Sequence, residues 1–164
     1  MLSIVLTGAA LLSGSKNAVL PEKDIDGTIF LVNRQHVISE QYVPEPLRKT
    51  QVYGMSQSMR EDAATALEEL FQAAQADGIK LSSVSGYRSY SKQSLLYDRK
   101  TKRTGSETEA DKLVARPGAS EHQLGLAMDL ATRNSSTLSE KFGSTPEGQW
   151  VYANCQRFGF IVRY

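Results

Sequence analysis

Apolar residues recur every three or four positions along residues 58–78, which is the spacing of one face of an α-helix. Ser58 followed by Glu61 has the pattern of a capping box, and Gly78 is a residue at which a helix can end. The stretch therefore predicts an amphipathic helix that buries one side against a core. The apolar positions on that side are Ala63, Ala66, Leu67, Leu70, Phe71 and Ala74.

Short strands and further helices are predicted after this first helix. The stretch "IKLSSVSGYRS" indicates a strand that ends at Gly86, and "SYSKQSLLYDRKTKR" indicates a helix capped by Ser89 or Ser91. "SETEADKLVA" indicates a short helix ended by Pro117. "LGLAMDLA" has the composition of a strand.

The C-terminal part predicts one more helix and one more strand. Thr145 is a suitable N-cap, Pro146 suits the first helical position, and Gly159 marks the helix end before "FIVRY". Helices and short strands thus mix without a regular strand–helix–strand rhythm. The pattern favours an α+β fold with a small central antiparallel sheet and flanking helices.

The N-terminal third differs from this pattern. Residues 1–15 are apolar at first and then small and polar, which resembles a secretory signal and favours export. The same residues also suit a first strand, and the apolar run is too short for a transmembrane span. Residues 16–50, rich in Pro, Asn, Asp and Glu, predict an extended arm, and residues 51–164 the main domain.

Composition excludes several classes of function. The chain has 164 residues with 40% hydrophobic residues, enough for one domain with a core. Its net charge of +1, from scattered Lys and Arg, gives no basic face for nucleic acid. A single cysteine, Cys155, rules out an internal disulfide framework and a multi-cysteine metal site.

The stretch "SEHQLGLAMDL" places His122 seven residues before Asp129. In a strand, Asp129 shares a face with the small Ala127, and Gly125 permits a turn that brings the imidazole back toward the carboxylate. Imidazole nitrogen and carboxylate oxygen are accepted zinc ligands. Two interpretations stay open on this pattern alone, a metal site or a hydrogen-bonded structural pair.

Three spaced motifs carry a resemblance to a known family: "SGYRSYSKQ" at 85–93, "SEHQLGLAMD" at 120–129 and "GQWVYANCQRFGFIVRY" at 148–164. Together with "LVNRQHVISEQYVPEPL", they resemble the VanY-type D-alanyl-D-alanine carboxypeptidases and their LD-carboxypeptidase relatives. The resemblance runs from about Phe30 to Tyr164. It implies an α+β zinc peptidase that removes the terminal D-alanine from peptidoglycan stem peptides, outside the cytoplasm.

The resemblance also implies a role for individual residues. It makes His122 and Asp129 two zinc ligands. The residues that it implies in substrate binding are Arg88, Gln93, Ser120 and Tyr164. A planar guanidinium at Arg88 can hold a terminal carboxylate through two hydrogen bonds, although the same residue also suits an exposed surface. Ser120 suits either the same carboxylate or the cap of the turn before His122.

The family completes its site with an "ExWH"-like segment after the "RY" element, which supplies a third zinc ligand and the glutamate that activates water. The sequence stops at Tyr164, so we expect an incomplete zinc site, no catalytic residue in this chain and a missing last strand. The "FIVRY" edge then predicts self-association. Two functions remain, a zinc carboxypeptidase by family and an inactive muropeptide-binding or remnant domain.

Overall fold

A four-stranded antiparallel sheet forms the centre of the protein in the computed structural model, which describes residues 2–6, 18–19, 32–135 and 138–163. The strands are β1 (Leu2–Leu6), β2 (Ala18–Val19), β3 (His36–Val37), β4 (Leu47–Lys49), β5 (Ser58–Arg60), β6 (Leu81–Ser85), β7 (Ala127–Thr132) and β8 (Phe160–Val162). The α-helices are α1 (Glu61–Ala76), α2 (Tyr90–Thr104), α3 (Glu107–Asp111) and α4 (Pro146–Asn154). Short 3-10 helices span Glu121–Leu124, Glu140–Ser144 and Cys155–Phe158.

The strand order in the central sheet is β6-β7-β1-β8. Two smaller sheets pair β2 with β3 and β4 with β5. Helices α1 and α4 pack beside the central sheet. The α+β expectation of a small antiparallel sheet with flanking helices is confirmed.

The N-terminal residues Leu2–Leu6 form a strand between β7 and β8. A strand is one of the two interpretations of residues 1–15, of which residues 7–15 lie outside the described part, and export stays a prediction. Ile4 and Val5 are both buried although they point to opposite faces, because a central strand is covered on both sides. Among the residues described, no helix is both long and apolar enough to cross a membrane.

Helix α1 confirms the predicted amphipathic helix but not its cap. It begins at Glu61 after Arg60, which makes no side-chain capping bond, so the predicted Ser58 capping box is wrong. Ser58 instead pairs with Lys49 as part of β5, because the strand pairing requires its backbone there. The side chains that the helix buries are Ala63, Ala64, Leu67, Leu70 and Ala74.

The described part of the arm packs onto the main domain. Val32 and Ile38 belong to the same apolar core as the central sheet. The Ile38 amide donates to the Gly118 carbonyl at 2.8 Å. The arm is therefore attached along one side of the domain from Val32 onward.

The C-terminal elements follow the predicted boundaries. The Thr145 hydroxyl accepts a hydrogen bond from the Gly148 amide, Pro146 is the first helical residue, and Gly159 ends the turn with a φ of 79°. Helix α3 is shorter than predicted, since it ends at Asp111 rather than at Pro117. Strand β8 lies at the edge of the sheet, and self-association through that edge stays a prediction.

Candidate active site

A cleft of about 430 Å³ lies between the arm, the segment after α3 and the end of β7. Five of the residues singled out from the sequence line it together, although they come from separate elements. They are Arg88, Gln93, Ser120, His122 and Asp129. Tyr164 lies outside the described residues, and its role stays a prediction.

The turn that carries His122 is a 3-10 helix closed by Gly125. Gly125 has a φ of 71°, a left-handed conformation that glycine adopts without strain. A side chain there would also meet the Arg60 amide at 3.0 Å. The glycine therefore lets the chain reverse directly from the 3-10 helix into β7, which brings His122 beside Asp129, as the sequence predicted.

A backbone carbonyl fixes the orientation of the His122 ring. The ring Nδ1 lies 2.8 Å from the Gly86 carbonyl oxygen. Because a carbonyl only accepts, Nδ1 carries the proton, and in the neutral ring Nε2 is then an acceptor. Gly86 can hold this position because it has no side chain, since a Cβ there would lie 2.6 Å from the Ser58 carbonyl oxygen.

Asp129 faces the open nitrogen of His122. Its side chain is only 4% exposed, and its Oδ2 lies 3.4 Å from His122 Nε2. Its Oδ1 is buried and makes no hydrogen bond within the described part of the chain. With a neutral ring, two lone-pair donors thus face each other beside a buried oxygen without a partner in the described part of the chain, an arrangement that costs free energy unless a proton or a metal ion lies between them.

The donor set and its spacing fit zinc. Two ligands at about 2.0–2.1 Å from one tetrahedral ion lie about 3.3 Å apart, close to the Nε2–Oδ2 separation. The carbonyl behind the histidine is the outer partner that orients zinc-binding imidazoles. Within residues 2–6, 18–19, 32–135 and 138–163, no group of three or more His, Cys, Asp or Glu residues is placed to hold a metal.

Arg88 lies on the other side of the Asp129 carboxylate. Its guanidinium donates to Gln93 Oε1 at 2.7 Å and to Ser85 Oγ at 2.9 Å, and Nη2 lies 4.0 Å from Asp129 Oδ2. The side chain is 19% exposed, so the alternative of a solvated surface arginine does not fit. Burial lowers the pKa of Arg88, and the Asp129 charge opposes this shift, so the guanidinium stays charged.

The strand pairing brings Ser85 to this position. A register shift between Ser83 and Ser85 places Ser85 opposite Asp129 on the neighbouring strand β7. Irregular pairing of this kind often re-aims a side chain beside a functional site. It here puts the hydroxyl that orients Arg88 next to the candidate metal ligand.

Gln93 and Ser120 form the wall next to Arg88. Gln93 is 1% exposed, and its amide donates to the Ala115 carbonyl at 2.6 Å, which ties α2 to the segment after α3. Ser120 precedes the 3-10 helix of His122 and is 5% exposed, but its side chain makes no capping hydrogen bond. The capping alternative for Ser120 is therefore not what the structure has.

Other charged residues of the cleft have no clear signal in the sequence. Glu121 pairs with Arg163 at 3.1 Å, and burial raises the pKa of Glu121 while Arg163 opposes the shift. Arg34 and Asp111 meet at the cleft from the arm and from α3. The other histidine, His36, contacts Asn33 in the arm and does not line the cleft.

Comparisons with known proteins identify the family of the chain. The family model described as VanY, D-alanyl-D-alanine carboxypeptidase, matches residues 56–164. A putative carboxypeptidase of Bacillus subtilis (strain 168), YodJ, is 41% identical over 146 residues, covering 85% of this chain and 53% of the relative. The chain spans about half the length of the curated relatives first matched.

Two solved structures share the fold. The LdcB LD-carboxypeptidase superposes with a TM-score of 0.76 and 42% identity, over 82% of this chain and 65% of LdcB. A vancomycin-resistance D,D-pentapeptidase VanY variant, solved with Zn(II), superposes with a TM-score of 0.65 and 35% identity, over 80% and 74% of the two chains. The chain therefore belongs to the VanY family of D-alanyl-D-alanine carboxypeptidases.

Proposed function

We propose that the protein is a zinc-dependent carboxypeptidase that removes the terminal D-alanine from peptidoglycan stem peptides. One observation carries the proposal: a buried and oriented guanidinium, Arg88, lies beside the facing acceptors of His122 and Asp129. A carboxypeptidase must hold a free terminal carboxylate close to the group that attacks the preceding carbonyl. The VanY family and the Zn(II) complex of its solved member support the same reaction.

Each residue of the cleft has a proposed task. Arg88 holds the terminal carboxylate through two parallel hydrogen bonds, because its fork is already oriented by Ser85 and Gln93. Ser120 donates to the same carboxylate, and Tyr164 contributes to substrate binding as the family implies. His122 and Asp129 hold the metal. Bound zinc supplies an acidic centre that activates water and polarises the carbonyl.

A second function is favoured by the part of the cleft that would bind the peptide, which we call the recognition side and which consists of Arg88, Gln93 and Ser85. Arg88, Gln93 and Ser85 are held in place by protein groups alone, so peptide binding does not depend on the metal. A muropeptide-binding domain without catalysis would need only this side of the cleft. The two candidates differ in one measurable property, the release of D-alanine in the presence of zinc.

The substrate proposal carries a proposal about location. Peptidoglycan stem peptides lie outside the cytoplasmic membrane, so we infer that the protein acts there, either secreted or attached to the cell envelope. This inference rests on the substrate alone. A protein found only in the cytoplasm by fractionation would contradict the location and leave the chemistry of the cleft to be tested separately.

The test compares two peptides that differ only at the end. A stem peptide ending in D-alanine and its C-terminal amide are titrated against the protein by calorimetry. We expect the free acid to bind more tightly, and Arg88→Lys to weaken it by about 2 to 5 kcal/mol, because an ammonium cannot form the bidentate pair. Arg99→Lys is the matched control, since Arg99 is exposed on α2 and does not line the cleft.

Equal affinity for the acid and the amide in the unsubstituted protein would show that Arg88 does not hold the carboxylate. An amino-acid release assay on the free-acid peptide, with zinc and with a chelator, then separates the two functions. Chelator-sensitive release of D-alanine supports the enzyme. Tight binding without release at saturating zinc supports the binding domain.

A further inference from the structure

The mouth of the cleft is bridged by an arginine of the arm. Arg34 lines the cleft, and its guanidinium donates to the Asp111 carbonyl of the opposite wall. Its side chain is 59% exposed, against 19% for Arg88. The cleft therefore has a guanidinium at its buried end and a second one at its open end.

A closed turn holds Arg34 in place. The Asn33 side-chain oxygen accepts from the Gln35 amide at 2.7 Å and from the His36 amide at 2.9 Å. The backbones of Asn33 and His36 also exchange hydrogen bonds at 3.0 and 3.2 Å. An Asx turn of this kind fixes the backbone on both sides of Arg34, so its guanidinium is presented without much loss of backbone entropy.

The carboxylate that pairs with Arg34 across the cleft is bound by other groups as well. The Asp111 carboxylate is held by Arg116 through two hydrogen bonds of 2.9 Å, and it accepts a third from the Tyr97 hydroxyl. Arg34 Nη1 lies 3.9 Å from the same carboxylate. Lys112 also lines the cleft, but it pairs with Glu109 at 2.6 Å, so Arg34 is the cation at the mouth whose carboxylate partner is already bound by another arginine.

Apolar side chains lie in the cleft together with these groups. Leu96, Leu113 and Leu138 all line it, although they are 37%, 55% and 36% exposed. Exposed leucines that cluster in one groove indicate a surface that a ligand covers. A peptide anchored by its terminal carboxylate at Arg88 would leave the cleft along this surface and pass Arg34.

We propose that Arg34 determines specificity by binding a second carboxylate, carried by an acidic residue of the peptide on the N-terminal side of the cleaved bond. The inference rests on the proposed function, because that function sets the direction of the peptide. An acidic group there replaces the water around Arg34 and meets an oriented, mostly exposed guanidinium, whose partner Asp111 is already held by Arg116.

The test uses two synthetic stem peptides that both end in a free D-alanine. They differ in one residue upstream of the cleaved bond, which carries a carboxylate in one peptide and the corresponding amide in the other. We expect the unsubstituted protein to bind the carboxylate peptide about three- to tenfold more tightly, as for a partly exposed charge pair in a groove. The preference should shrink as salt is added, because exposed charges are screened.

Three variants assign the preference to Arg34. Arg34→Gln should remove the preference, so that the two peptides bind with equal affinity, while Arg34→Lys should keep part of it. Arg99→Gln, on the exposed face of α2, is the matched control and should retain the full preference.

An unsubstituted protein that binds both peptides equally, or an Arg34→Gln variant that keeps the preference, would overturn the inference. Failure to bind either peptide would overturn the proposed function as well. The two failures are therefore distinguishable in one set of titrations.

Discussion

The two sides of the cleft differ in whether their buried polar groups have hydrogen-bond partners within the protein. On the recognition side, Arg88 and Gln93 have hydrogen-bond partners from three separate segments of the chain. On the metal side, His122 Nε2 and Asp129 Oδ2 face each other at 3.4 Å, and Asp129 Oδ1 has no partner in the described part of the chain. On the recognition side the protein itself supplies the hydrogen-bond partners, whereas on the metal side a cation is needed to balance the facing acceptors.

The contrast separates stability from function. A satisfied network orients its members and stabilises the fold, whereas an unsatisfied buried oxygen costs about 1 to 3 kcal/mol. The metal side therefore lowers the stability of the free protein and gains stability from its ligand. Substitutions on the recognition side should lower the stability of the free protein, whereas substitutions on the metal side should chiefly remove the stability gained from zinc.

We expect the largest loss of stability from removing the positive charge of Arg88, which lies next to Asp129 of the metal side. Arg88→Met leaves the Asp129 carboxylate buried without a nearby cation, and it removes a donor from Gln93 and Ser85. We expect a loss of about 2 to 4 kcal/mol in the free energy of unfolding, measured in urea. Adding Asp129→Asn should recover part of the loss, because the uncompensated charge is then absent. A variant within 0.5 kcal/mol of the unsubstituted protein, taken as about the error of such measurements, would contradict the network.

Zinc should cause the next largest change in stability, because it binds to the metal side. At zinc concentrations about ten to one hundred times Kd, we expect stabilisation of about 1.4 to 2.7 kcal/mol in thermal unfolding. Asp129→Asn should abolish the response. Without zinc, Asp129→Asn loses the charge partner of Arg88 but gains an amide that can donate to His122 Nε2, so the two effects on its stability oppose each other.

Magnesium, which prefers an octahedron of oxygen ligands, serves as the control and should leave the melting temperature unchanged. An equal zinc response in the unsubstituted protein and in Asp129→Asn would place the metal elsewhere in the protein.

We expect a smaller loss of stability from substituting Gln93, which links Arg88 to the Ala115 carbonyl on the recognition side. Gln93→Met keeps the volume at this buried position but leaves Arg88 Nη1 without an acceptor and the Ala115 carbonyl without a donor. We expect a loss of about 1 to 2 kcal/mol in urea unfolding, together with weaker peptide binding. Gln72→Met, at an exposed position of α1, is the matched control. Equal losses in the two variants would show that the hydrogen bonds of Gln93 contribute nothing specific.

Local signals predicted the elements that depend on local physics. The period of apolar residues located α1, and Thr145, Pro146 and Gly159 marked the last helix, because caps and helix ends are decided within a few residues. The apolar run near residue 126 predicted β7, which the structure places at Ala127–Thr132. These features needed no knowledge of the rest of the chain.

Features that depend on long-range pairing were not predictable in this way. The Ser58 cap was wrong because strand pairing with β4 takes its backbone, a competition that the local pattern does not contain. Leu2–Leu6 lies between β7 and β8, yet its sequence favours a secretory signal over a strand. Arg34 has no local signal at all, since it enters the cleft only when the arm folds onto the domain.

The candidate site shows both situations. The spacing of His122 and Asp129 predicted their approach, because Gly125 reverses the chain within one turn. The position of Arg88 next to Asp129 depends instead on the register shift between β6 and β7, which only the folded sheet reveals. The resemblance of the motifs at 85–93 and 120–129 to a known family had named Arg88 and Asp129 without this register.

We expect the smallest change in stability at the cleft mouth, where the Asp111 carboxylate, like the recognition side, has hydrogen-bond partners within the protein. Hydrogen bonds from Arg116 first, and then from Tyr97, lower the pKa of Asp111 to about 2. A lowered carboxyl pKa means that its stabilisation is complete above the unfolded value, about 3.9, and is lost as the pH falls through the folded value. The difference in melting temperature between the unsubstituted protein and Asp111→Asn should therefore stay constant from pH 7 to about pH 4 and shrink toward pH 2.

Asp98→Asn, at an exposed position of α2, is the control and should give a difference in melting temperature near zero at every pH. A constant difference for Asp111→Asn down to the lowest pH would mean that its charge does not stabilise the mouth, and that Arg34 faces a wall organised by other contacts.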